Sequence, residues 1–336
     1  MEYSPAVRRA GSEAFHKRLE SMQALEGAYP EYEEIVHHNL EHMFNVVVPL
    51  QHCGGYNKAV DIVQRKEDNR ICIRKTFMIC SKAKPRRWLR EVKAVRVMQH
   101  RNIEGYLAAS ISPAKGEIFL EYCDLGTLAY FKQFMIDHNL GIPESFVWHV
   151  FKDILRGLCY MQTGLVDESE FCVEGRPNKS GWIAILHRDI KLENIYLKSP
   201  DRVGEYPVVK LGDFGMSISK KDLKMPFATS GTKGWMAPEY PNCSTRSDVF
   251  SATTVIQCIT VPDWDSADPE AGVGPGFSQL LRECVLSGMT KNKYDRPLAR
   301  ELAQMVFGVP EEQLPAVESI PLEGFCRMLP PKEQRS

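Results

Sequence analysis

The sequence predicts an α+β fold, in which a small antiparallel β-rich lobe with one main helix precedes a larger, mostly helical lobe. Between residues 44 and 122, β-branched runs are separated by turn residues, which is typical of antiparallel strands. Residues 85–102 interrupt these runs with apolar residues at helical spacing. After Gly126 helical periodicity dominates, most clearly in residues 146–162, so the two lobes differ in secondary structure.

The chain divides into four predicted parts along its 336 residues. The first part is charged and carries apolar residues three and four positions apart, so we predict a helical extension. The parts are an extension at 1–43, a small lobe at 44–122, a large lobe at 123–305 and a tail at 306–336. An insertion at about 165–185 is polar and contains Gly and Pro, so it is interpreted as a surface loop, with a docking element as the alternative.

Charge and cysteine content narrow the function classes. Lys and Arg total 42 while Asp and Glu total 43, so no excess of positive charge favours nucleic acid or an anionic membrane as a partner. The ten cysteines show no CxxC spacing and are interpreted as reduced thiols. The first residues lack the apolar stretch of a secretion signal, so we expect a cytoplasmic or nuclear protein.

The segment LHRDIKLENIYL, residues 186–197, concentrates the chemically useful side chains. Asp189, Lys191 and Asn194 lie within six positions, just before an apolar strand. The Asp189 carboxylate can accept a proton from an attacking hydroxyl group. The Lys191 ammonium can neutralise a migrating phosphoryl group, and the Asn194 amide oxygen can hold a divalent metal.

Two further motifs follow along the chain. In KLGDFGM, residues 210–216, an apolar strand delivers Asp213 to a turn, where its carboxylate oxygen suits Mg²⁺. GTKGWMAPE occupies residues 231–239. In this order the three motifs resemble the catalytic loop, the metal-binding turn and the end of the activation segment in the eukaryotic protein kinase family. The resemblance covers about residues 45–305 and implies the bilobal protein-kinase-like fold, with ATP and Mg²⁺ as cofactors.

The resemblance implies further roles upstream of the catalytic loop. Lys75, at the end of the strand CIRK, would hold the ATP phosphates, and Glu91 on the following helix would pair with it. Glu91, Val95 and Met98 are spaced i, i+4 and i+7, which places them on one helical face. The alternative for Glu91 is a solvated charge on the helix surface.

Adenine contacts are implied for the hinge that follows the last strand of the small lobe. Leu120 would lie beside the base, and backbone groups of Glu121 and Cys123 would hydrogen-bond it. Ile73 stands where the family usually has alanine, and Tyr196 stands where a leucine-like residue usually lies under the base. Both larger side chains would reshape the adenine pocket.

A phosphate-binding loop is predicted in LQHCGGYNKAV, residues 50–60. Counting back 15 residues from Lys75 reaches Val60, which is the spacing expected for the valine under the adenine. The family's glycine pattern then keeps its middle position, Gly55, preceded by Gly54, and loses both outer glycines. Glycine at the middle position lets the backbone approach the phosphates closely. We therefore expect an irregular phosphate loop.

The resemblance also implies a serine/threonine-type enzyme. Lys191 lies two positions after the catalytic aspartate, and Thr232 matches the threonine that contacts this aspartate in such kinases. Arg188 would face a phosphorylated residue of the activation segment, for which Thr229 and Ser230 are the first candidates. The alternative is that no residue is modified and that packing orders the segment.

Two structural roles are implied downstream. Asp248, in a segment that resembles the family's central helix, would bind the backbone of the catalytic loop, and the alternative for it is a helix N-cap. Arg296 would form an ion pair with Glu239. The interval between Glu239 and Arg296 is short for the family, so we expect trimmed helices there.

The predicted function is transfer of the γ-phosphoryl group of Mg-ATP to a serine or threonine hydroxyl of a protein substrate. The alternative is a pseudokinase-like scaffold, which the altered glycine loop and adenine pocket favour. Small-molecule phosphotransferases of kinase-like fold generally lack the Glu239–Arg296 pair, which disfavours them. A regulatory partner is predicted to bind residues 1–43 or 165–185, and neither nucleic acid nor a membrane is expected as a partner.

Overall fold

The computed structural model describes residues 40–50, 59–78, 84–111, 115–223, 231–322 and residue 325, and these residues divide into two compact units. The first, called the sheet unit, comprises the described residues up to Trp88 together with those of Leu107–Glu121. The second, called the helical unit, comprises Leu89–Tyr106 and the described residues from Tyr122 onward. Antiparallel strands dominate the first unit and helices the second, so the predicted α+β class is confirmed.

Five strands of the sheet unit form one sheet in the order β1-β2-β3-β5-β4. The strands are β1 (Phe44–Leu50), β2 (Ala59–Arg65), β3 (Ile71–Met78), β4 (Tyr106–Ile111) and β5 (Lys115–Glu121). The pairs β1/β2, β2/β3 and β3/β5 are antiparallel, as the β-branched runs and turn residues predict. A register shift between Val46 and Val48 marks an irregularity in β1.

One face of this sheet is covered by an apolar cluster. Val63, Cys72 and Phe119 are fully buried there, and the ring of Phe44 stacks on that of Phe119 at 4.1 Å between centroids. Because side chains alternate between faces along a strand, residues two positions apart join the same cluster. This burial gives the sheet its own hydrophobic core.

Helix α1 (Lys84–Val97) places Trp88 against the sheet. The indole Nε1 of Trp88 donates a hydrogen bond to the carbonyl oxygen of Glu117 at 3.1 Å. A Cβ atom on Gly116 would lie 2.9 Å from the indole ring, so only glycine allows this approach without a shift of the tryptophan. The start of α1 is thereby fixed to β5.

The helical unit is built around two long helices whose side chains are almost entirely buried. Its helices are α2 (Leu128–Asp137), α3 (Glu144–Thr163), α4 (Glu168–Phe171), α5 (Thr245–Thr260), α6 (Gln279–Gly288) and α7 (Ala299–Phe307). Short antiparallel strand pairs lie beside them, formed by β6 (Ile185–Leu186) with β9 (Ile218–Ser219) and by β7 (Ile195–Lys198) with β8 (Val208–Leu211). The two long helices, α3 and α5, carry the core of the unit.

The insertion at residues 165–185 is more ordered than the predicted surface loop. It contains α4, and the Phe171 ring at the end of α4 is fully buried next to Phe307 of α7. Trp182 donates a hydrogen bond from Nε1 to the carbonyl oxygen of Met161 at 3.0 Å. Because most residues of the insertion are polar, the sequence did not indicate that these two aromatic side chains attach it to the helical unit.

Polar contacts strengthen this attachment. Arg300 of α7 donates hydrogen bonds to the carbonyl oxygens of Phe171, Val173 and Arg176, at 3.4, 3.3 and 2.7 Å. Gln304, one turn later, donates to the carbonyl oxygen of Cys172 at 2.8 Å. A loop has few internal partners for its carbonyl groups, so α7 supplies the missing donors.

The stretch between α5 and α6, residues 261–278, is fully described and contains no helix, as the short interval predicts. The buried side chain of Gln257 organises it. Its Nε2 donates to the carbonyl oxygens of Asp268 and Gly272, while its Oε1 accepts from the backbone N–H of Asp268. Trp264 of this loop packs on Trp235 with 4.4 Å between ring centroids.

The residues after α7 run along the helical unit. The backbone N–H of Glu318 donates to Ser145 Oγ at 3.2 Å, and the Tyr206 hydroxyl donates to the Glu318 carbonyl oxygen. Phe325 is 2 % exposed and packs against aromatic rings of α2. No helix within the described residues is long and apolar enough to cross a membrane.

Candidate active site

The catalytic-loop motif lies between β6 and β7, and the first turn of α5 fixes its backbone. The Asp248 carboxylate accepts hydrogen bonds from the backbone N–H groups of His187 and Arg188, at 2.7 and 2.9 Å. Arg188 has φ 70°, in the left-handed region that non-glycine residues rarely adopt. The predicted contact of Asp248 is confirmed, and its carboxylate holds the loop in this strained conformation.

Asp189 follows this strained residue and is surrounded by donors. Thr232 Oγ1 donates to Asp189 Oδ1 at 2.7 Å, so the predicted contact is confirmed. Asn194 Nδ2 donates to Asp189 Oδ2 at 3.1 Å and to the Asp189 carbonyl oxygen at 2.8 Å. Lys191 Nζ donates to Thr232 Oγ1 at 2.9 Å and lies 3.5 Å from Asp189 Oδ2. The four side chains form one connected polar cluster.

This cluster keeps unused bonding capacity and access to solvent. The side chains of Asp189 and Lys191 are 12 % and 20 % exposed. An ionised carboxylate offers about four acceptor positions, and Thr232 and Asn194 occupy only part of them. Asp189 is therefore oriented by its neighbours and still able to accept a proton from an incoming hydroxyl group.

The segment Leu211–Asp213 lies directly beside this cluster. The backbone N–H of Gly212 donates to the carbonyl oxygen of Asn194 at 2.9 Å. The Gly212 carbonyl oxygen lies 2.9 Å from His187 Nε2, and because a carbonyl oxygen only accepts, this nitrogen carries the proton. Asp213 then adopts φ 53° and ψ 70°, a left-handed conformation at the turn that the motif predicts.

Asn194 and Asp213 carry oxygen atoms of the kind that Mg²⁺ prefers, and their role as its ligands stays a prediction. Both amide protons that Asn194 uses point to Asp189, which leaves the amide oxygen of Asn194 as an acceptor for a cation. Asp213 supplies a carboxylate, and hard oxygen ligands of this kind suit Mg²⁺. No group of three or more His, Cys, Asp or Glu side chains in the described residues forms a metal cluster. Two protein ligands together with phosphates and waters are typical of Mg²⁺ sites that bind nucleotides.

The end of the activation segment is held by a buried ion pair. Arg296 donates from Nη1 and Nη2 to the two carboxylate oxygens of Glu239, at 2.8 and 3.0 Å, which confirms the predicted pair. Ser247 Oγ donates to Glu239 Oε1 at 2.6 Å. Burial raises the pKa of Glu239, but the hydrogen bonds from Arg296 and Ser247 outweigh it, so the pKa lies below its ordinary value.

The sheet unit places the predicted nucleotide-binding side chains on one face. Val60 pairs directly with Lys75, and Ile73 pairs directly with Leu120. Lys75 and Ile73 are two positions apart on β3, so all four residues share the face opposite the apolar cluster around Phe119. Lys75 is 4 % exposed and Leu120 is fully buried. Their roles toward ATP stay predictions.

Glu91 and Val95 of α1 and Met98, the residue that follows the helix, are all buried, which confirms the predicted shared face. The burial of Glu91 excludes the alternative of a solvated surface charge. Its ion pair with Lys75 stays a prediction, as do the adenine contacts of Glu121 and Cys123.

Tyr196 of β7 packs against the backbone of Gly212. A Cβ atom on Gly212 would lie 2.0 Å from Tyr196 Cε2, so the ring occupies the space beside the Gly212 Cα atom. The effect of this ring on the adenine pocket stays a prediction. Four predicted residues, Gly54, Gly55, Thr229 and Ser230, lie outside the described residues, so the phosphate loop and the phosphorylation of the activation segment stay predictions.

Three contacts at or near the site were not predicted from the sequence. His187 belongs to the catalytic-loop motif, but its hydrogen bond to the Gly212 carbonyl oxygen was not predicted. The Trp235–Trp264 pair joins two segments that are distant in sequence. Glu104 lies near the backbone of Asp213 and belongs to no motif. The first had a local signal, whereas the other two depend on tertiary contacts.

Comparisons with known proteins agree with this geometry. The family of protein kinase domains matches residues 53–264. The chain is 32% identical over 221 residues to G2-specific protein kinase nim-1 of Neurospora crassa, covering 61% of this chain and 25% of that protein. It is 24% identical over 272 residues to serine/threonine-protein kinase Nek2 of Mus musculus, covering 75% of this chain and 57% of that protein. With MAP3K epsilon protein kinase 1 of Arabidopsis thaliana it shares 27% identity over 236 residues, 64% of this chain and 15% of the relative. The match thus spans between about a seventh and somewhat over half of these relatives.

Proposed function

We propose that this chain, which belongs to the protein kinase domain family, is an ATP-dependent serine/threonine protein kinase. The observation that carries the proposal is the cluster around Asp189. Thr232 and Asn194 orient its carboxylate, Lys191 lies 3.5 Å away, and the segment bearing Asp213 is bonded to Asn194. This arrangement provides a base, a cation and two metal-binding oxygens in one polar site.

In the proposed reaction, Asp189 accepts the proton of the attacking substrate hydroxyl group. The hydrogen bond from Thr232 fixes one carboxylate oxygen and that from Asn194 fixes the other, so the base is oriented before substrate binds. Lys191 is held by Thr232 beside the carboxylate, where its charge can stabilise the phosphoryl group in transfer. Proper orientation of this kind is the main contribution of the protein in phosphoryl transfer.

Asn194 and Asp213 would hold Mg²⁺, which when bound neutralises charge on the ATP phosphates. Lys75 is proposed to bind the α- and β-phosphates, and Glu91 to pair with it. Gly54, Gly55 and Val60 are proposed to form the phosphate loop, and Ile73, Leu120, Glu121, Cys123 and Tyr196 the adenine site. These assignments follow the family motif residue by residue.

The acceptor is proposed to be serine or threonine rather than tyrosine. Support comes from the Lys191–Thr232–Asp189 chain of hydrogen bonds, which occupies the space beside the base. Among the relatives described above, Nek2 of Mus musculus is a serine/threonine-protein kinase by name. The substrates themselves are proposed to be proteins. A regulatory partner would contact residues 1–43 or the exposed part of the insertion.

We also propose a reducing compartment, the cytoplasm or the nucleus. None of the seven cysteines among the described residues is in a disulfide bond. Burial raises the pKa of most of these thiols. For Cys258 and Cys284 it raises the pKa to about 11, which keeps both thiols protonated and unreactive.

The proposal is tested with the purified chain, radiolabelled ATP, Mg²⁺ and four peptides that differ only in the acceptor: Ser, Thr, Tyr or Ala. We expect label on Ser or Thr peptides only, and none with Asp213→Ala. A thermal shift with Mg-ATP is measured in parallel. Label on the Tyr peptide would contradict the acceptor assignment. Absence of both label and thermal shift would contradict the enzyme proposal and favour the scaffold.

A further inference from the structure

The backbone of Leu211–Asp213 is held at successive peptide groups by surrounding elements of the helical unit. The N–H of Leu211 donates to the Asn102 carbonyl oxygen at 2.9 Å, and the Leu211 carbonyl oxygen accepts from the N–H of Glu104 at 2.8 Å. Gly212 is bound on both sides, by Asn194 and by His187. The next peptide group along the chain is that of Asp213.

The Asp213 N–H points toward the side chain of Glu104. The distance from this nitrogen to Glu104 Oε2 is 3.4 Å, the long end of the hydrogen-bonding range. Glu104 Oε2 also lies 2.9 Å from the position that a Cβ atom on Gly212 would take. The carboxylate of Glu104 therefore lies against the backbone on which the metal-binding aspartate is mounted.

Glu104 is 2 % exposed, which is unusual for a carboxylate. Burying a carboxylate is unfavourable unless hydrogen bonds replace its hydration. The Asp213 N–H is one of the polar groups that offset this cost.

The Asp213 backbone, which this carboxylate contacts, lies in the left-handed region at φ 53° and ψ 70°. A residue with a Cβ atom adopts this conformation only when the surroundings enforce it. The Glu104 carboxylate accepts from the N–H of this residue, and bonds to charged acceptors are stronger than those between neutral groups. Glu104 thus acts on the conformation that sets the direction of the Asp213 side chain.

We infer that Glu104 is a positioning residue that holds the Asp213 backbone so that the Asp213 carboxylate is presented to the metal–nucleotide. The inference deepens the proposed function and rests on it for the role of Asp213. The contact itself, between Glu104 and the Asp213 N–H, is independent of whether the chain transfers phosphate.

Three variants separate the hydrogen bond from the charge and from the packing. Glu104→Met keeps the size and removes the acceptor, whereas Glu104→Gln keeps an acceptor oxygen and removes the charge. Glu104→Ala serves if methionine prevents folding. Asp153→Asn is the matched control, because Asp153 is also a buried carboxylate and accepts from the Val209 N–H of β8 at 3.0 Å, four residues before Asp213.

The first readout is hydrogen exchange of backbone amides, measured by mass spectrometry on peptides that cover residues 211–216. We expect exchange there to be about tenfold faster in Glu104→Met than in wild type, as the loss of one bond to a charged group requires. Glu104→Gln should restore most of the protection, and Asp153→Asn should alter exchange around Val209 instead. Equal exchange in wild type and Glu104→Met would overturn the inference, as would an equal loss of protection in Glu104→Gln.

The second readout is the Mg²⁺ concentration that gives half of the thermal shift with a non-hydrolysable ATP analogue. We expect this concentration to rise about tenfold in Glu104→Met and much less in Glu104→Gln or Asp153→Asn. An unchanged Mg²⁺ dependence in Glu104→Met would overturn the positioning role. A wild-type chain without any Mg²⁺-dependent shift would instead contradict the proposed function, while the exchange experiment still decides the Glu104 contact.

Discussion

The clusters around Asp189 and Arg296 are both built from paired charges in the helical unit, yet they differ in how far their hydrogen-bonding capacity is used. Arg296 is fully buried, and all five of its N–H groups donate to Glu239 or to carbonyl oxygens of Thr290, Arg246 and Lys291. Asp189 has two side-chain donors and remains partly exposed.

The number of engaged donors and acceptors distinguishes a structural site from a catalytic one. A guanidinium group whose donors are all engaged has nothing left to offer a substrate, so its contribution is to stability. A carboxylate that is oriented but incompletely bonded can still receive a proton. The cluster around Arg296, called the saturated cluster, and the cluster around Asp189, called the open cluster, should therefore respond differently to substitution.

The largest effect on folding is expected for Arg296→Met. Removing one partner of a buried ion pair leaves the Glu239 carboxylate uncompensated, which typically costs about 3–5 kcal/mol. The free energy of unfolding is measured by urea titration. Arg300→Met is the control, because Arg300 also donates to several carbonyl oxygens but is partly exposed. A smaller loss in Arg296→Met than in Arg300→Met would break the comparison.

In the open cluster, Thr232→Val removes a donor to Asp189 and keeps the shape of the side chain. We expect kcat to fall about 10- to 100-fold, corresponding to the loss of a hydrogen bond to a charged group, with little change in the free energy of unfolding. Thr232→Ser keeps the hydroxyl group and should retain most of the activity. A larger loss in the serine variant than in the valine variant would show that the methyl group, not the hydrogen bond, matters.

Arg300→Met is expected to have an intermediate and local effect. Loss of its hydrogen bonds should cost about 1–2 kcal/mol and release the insertion from α7. Limited proteolysis should then cut faster within residues 172–181, while the unfolding transition shifts only slightly. Unchanged cleavage would indicate that Phe171 and Trp182 hold the insertion without the arginine.

The smallest effect concerns pH. Burial raises the pKa of Glu239, but the hydrogen bonds from Arg296 and Ser247 lower it by more. The net result is a pKa below the ordinary value. A carboxylate with a lowered pKa in the folded state contributes stability that is present above its unfolded pKa, about 4.3, and is lost as the pH falls through the folded value. The stability advantage of wild type over Arg296→Met should therefore shrink between about pH 6 and pH 3. A constant or growing advantage would contradict the assigned ion pair.

The contacts between residues of two different motifs could be predicted from the sequence. The resemblance to the family motifs implies the contacts of Asp248, of Thr232 and of the Glu239–Arg296 pair, and the structure confirms each contact. Local spacing also predicted the buried face of α1, because residues three or four positions apart lie on the same side of a helix.

The contacts that escaped prediction depend on where a single residue is buried. Glu104 looks like any charged residue of a turn until the fold places it against Asp213. The insertion appeared to be a polar loop because its two anchors, Phe171 and Trp182, are isolated among polar residues. Gln257 similarly gains its role only when the loop at 261–278 folds over it. Sequence periodicity carries no information about such lone contacts.

The proposed role of the Asp189 cluster in catalysis is tested most directly by the single-turnover rate of phosphoryl transfer in Asp189→Asn. The rate is measured at saturating concentrations of Mg-ATP and of a Ser or Thr peptide. Asparagine keeps an acceptor for Thr232 but lacks the basicity to take the hydroxyl proton. We predict a rate about 10²- to 10⁴-fold below wild type, with a nearly unchanged urea midpoint for unfolding. A wild-type rate in the variant, or a rate loss that only tracks unfolding, would contradict the claim that the open cluster performs the chemistry.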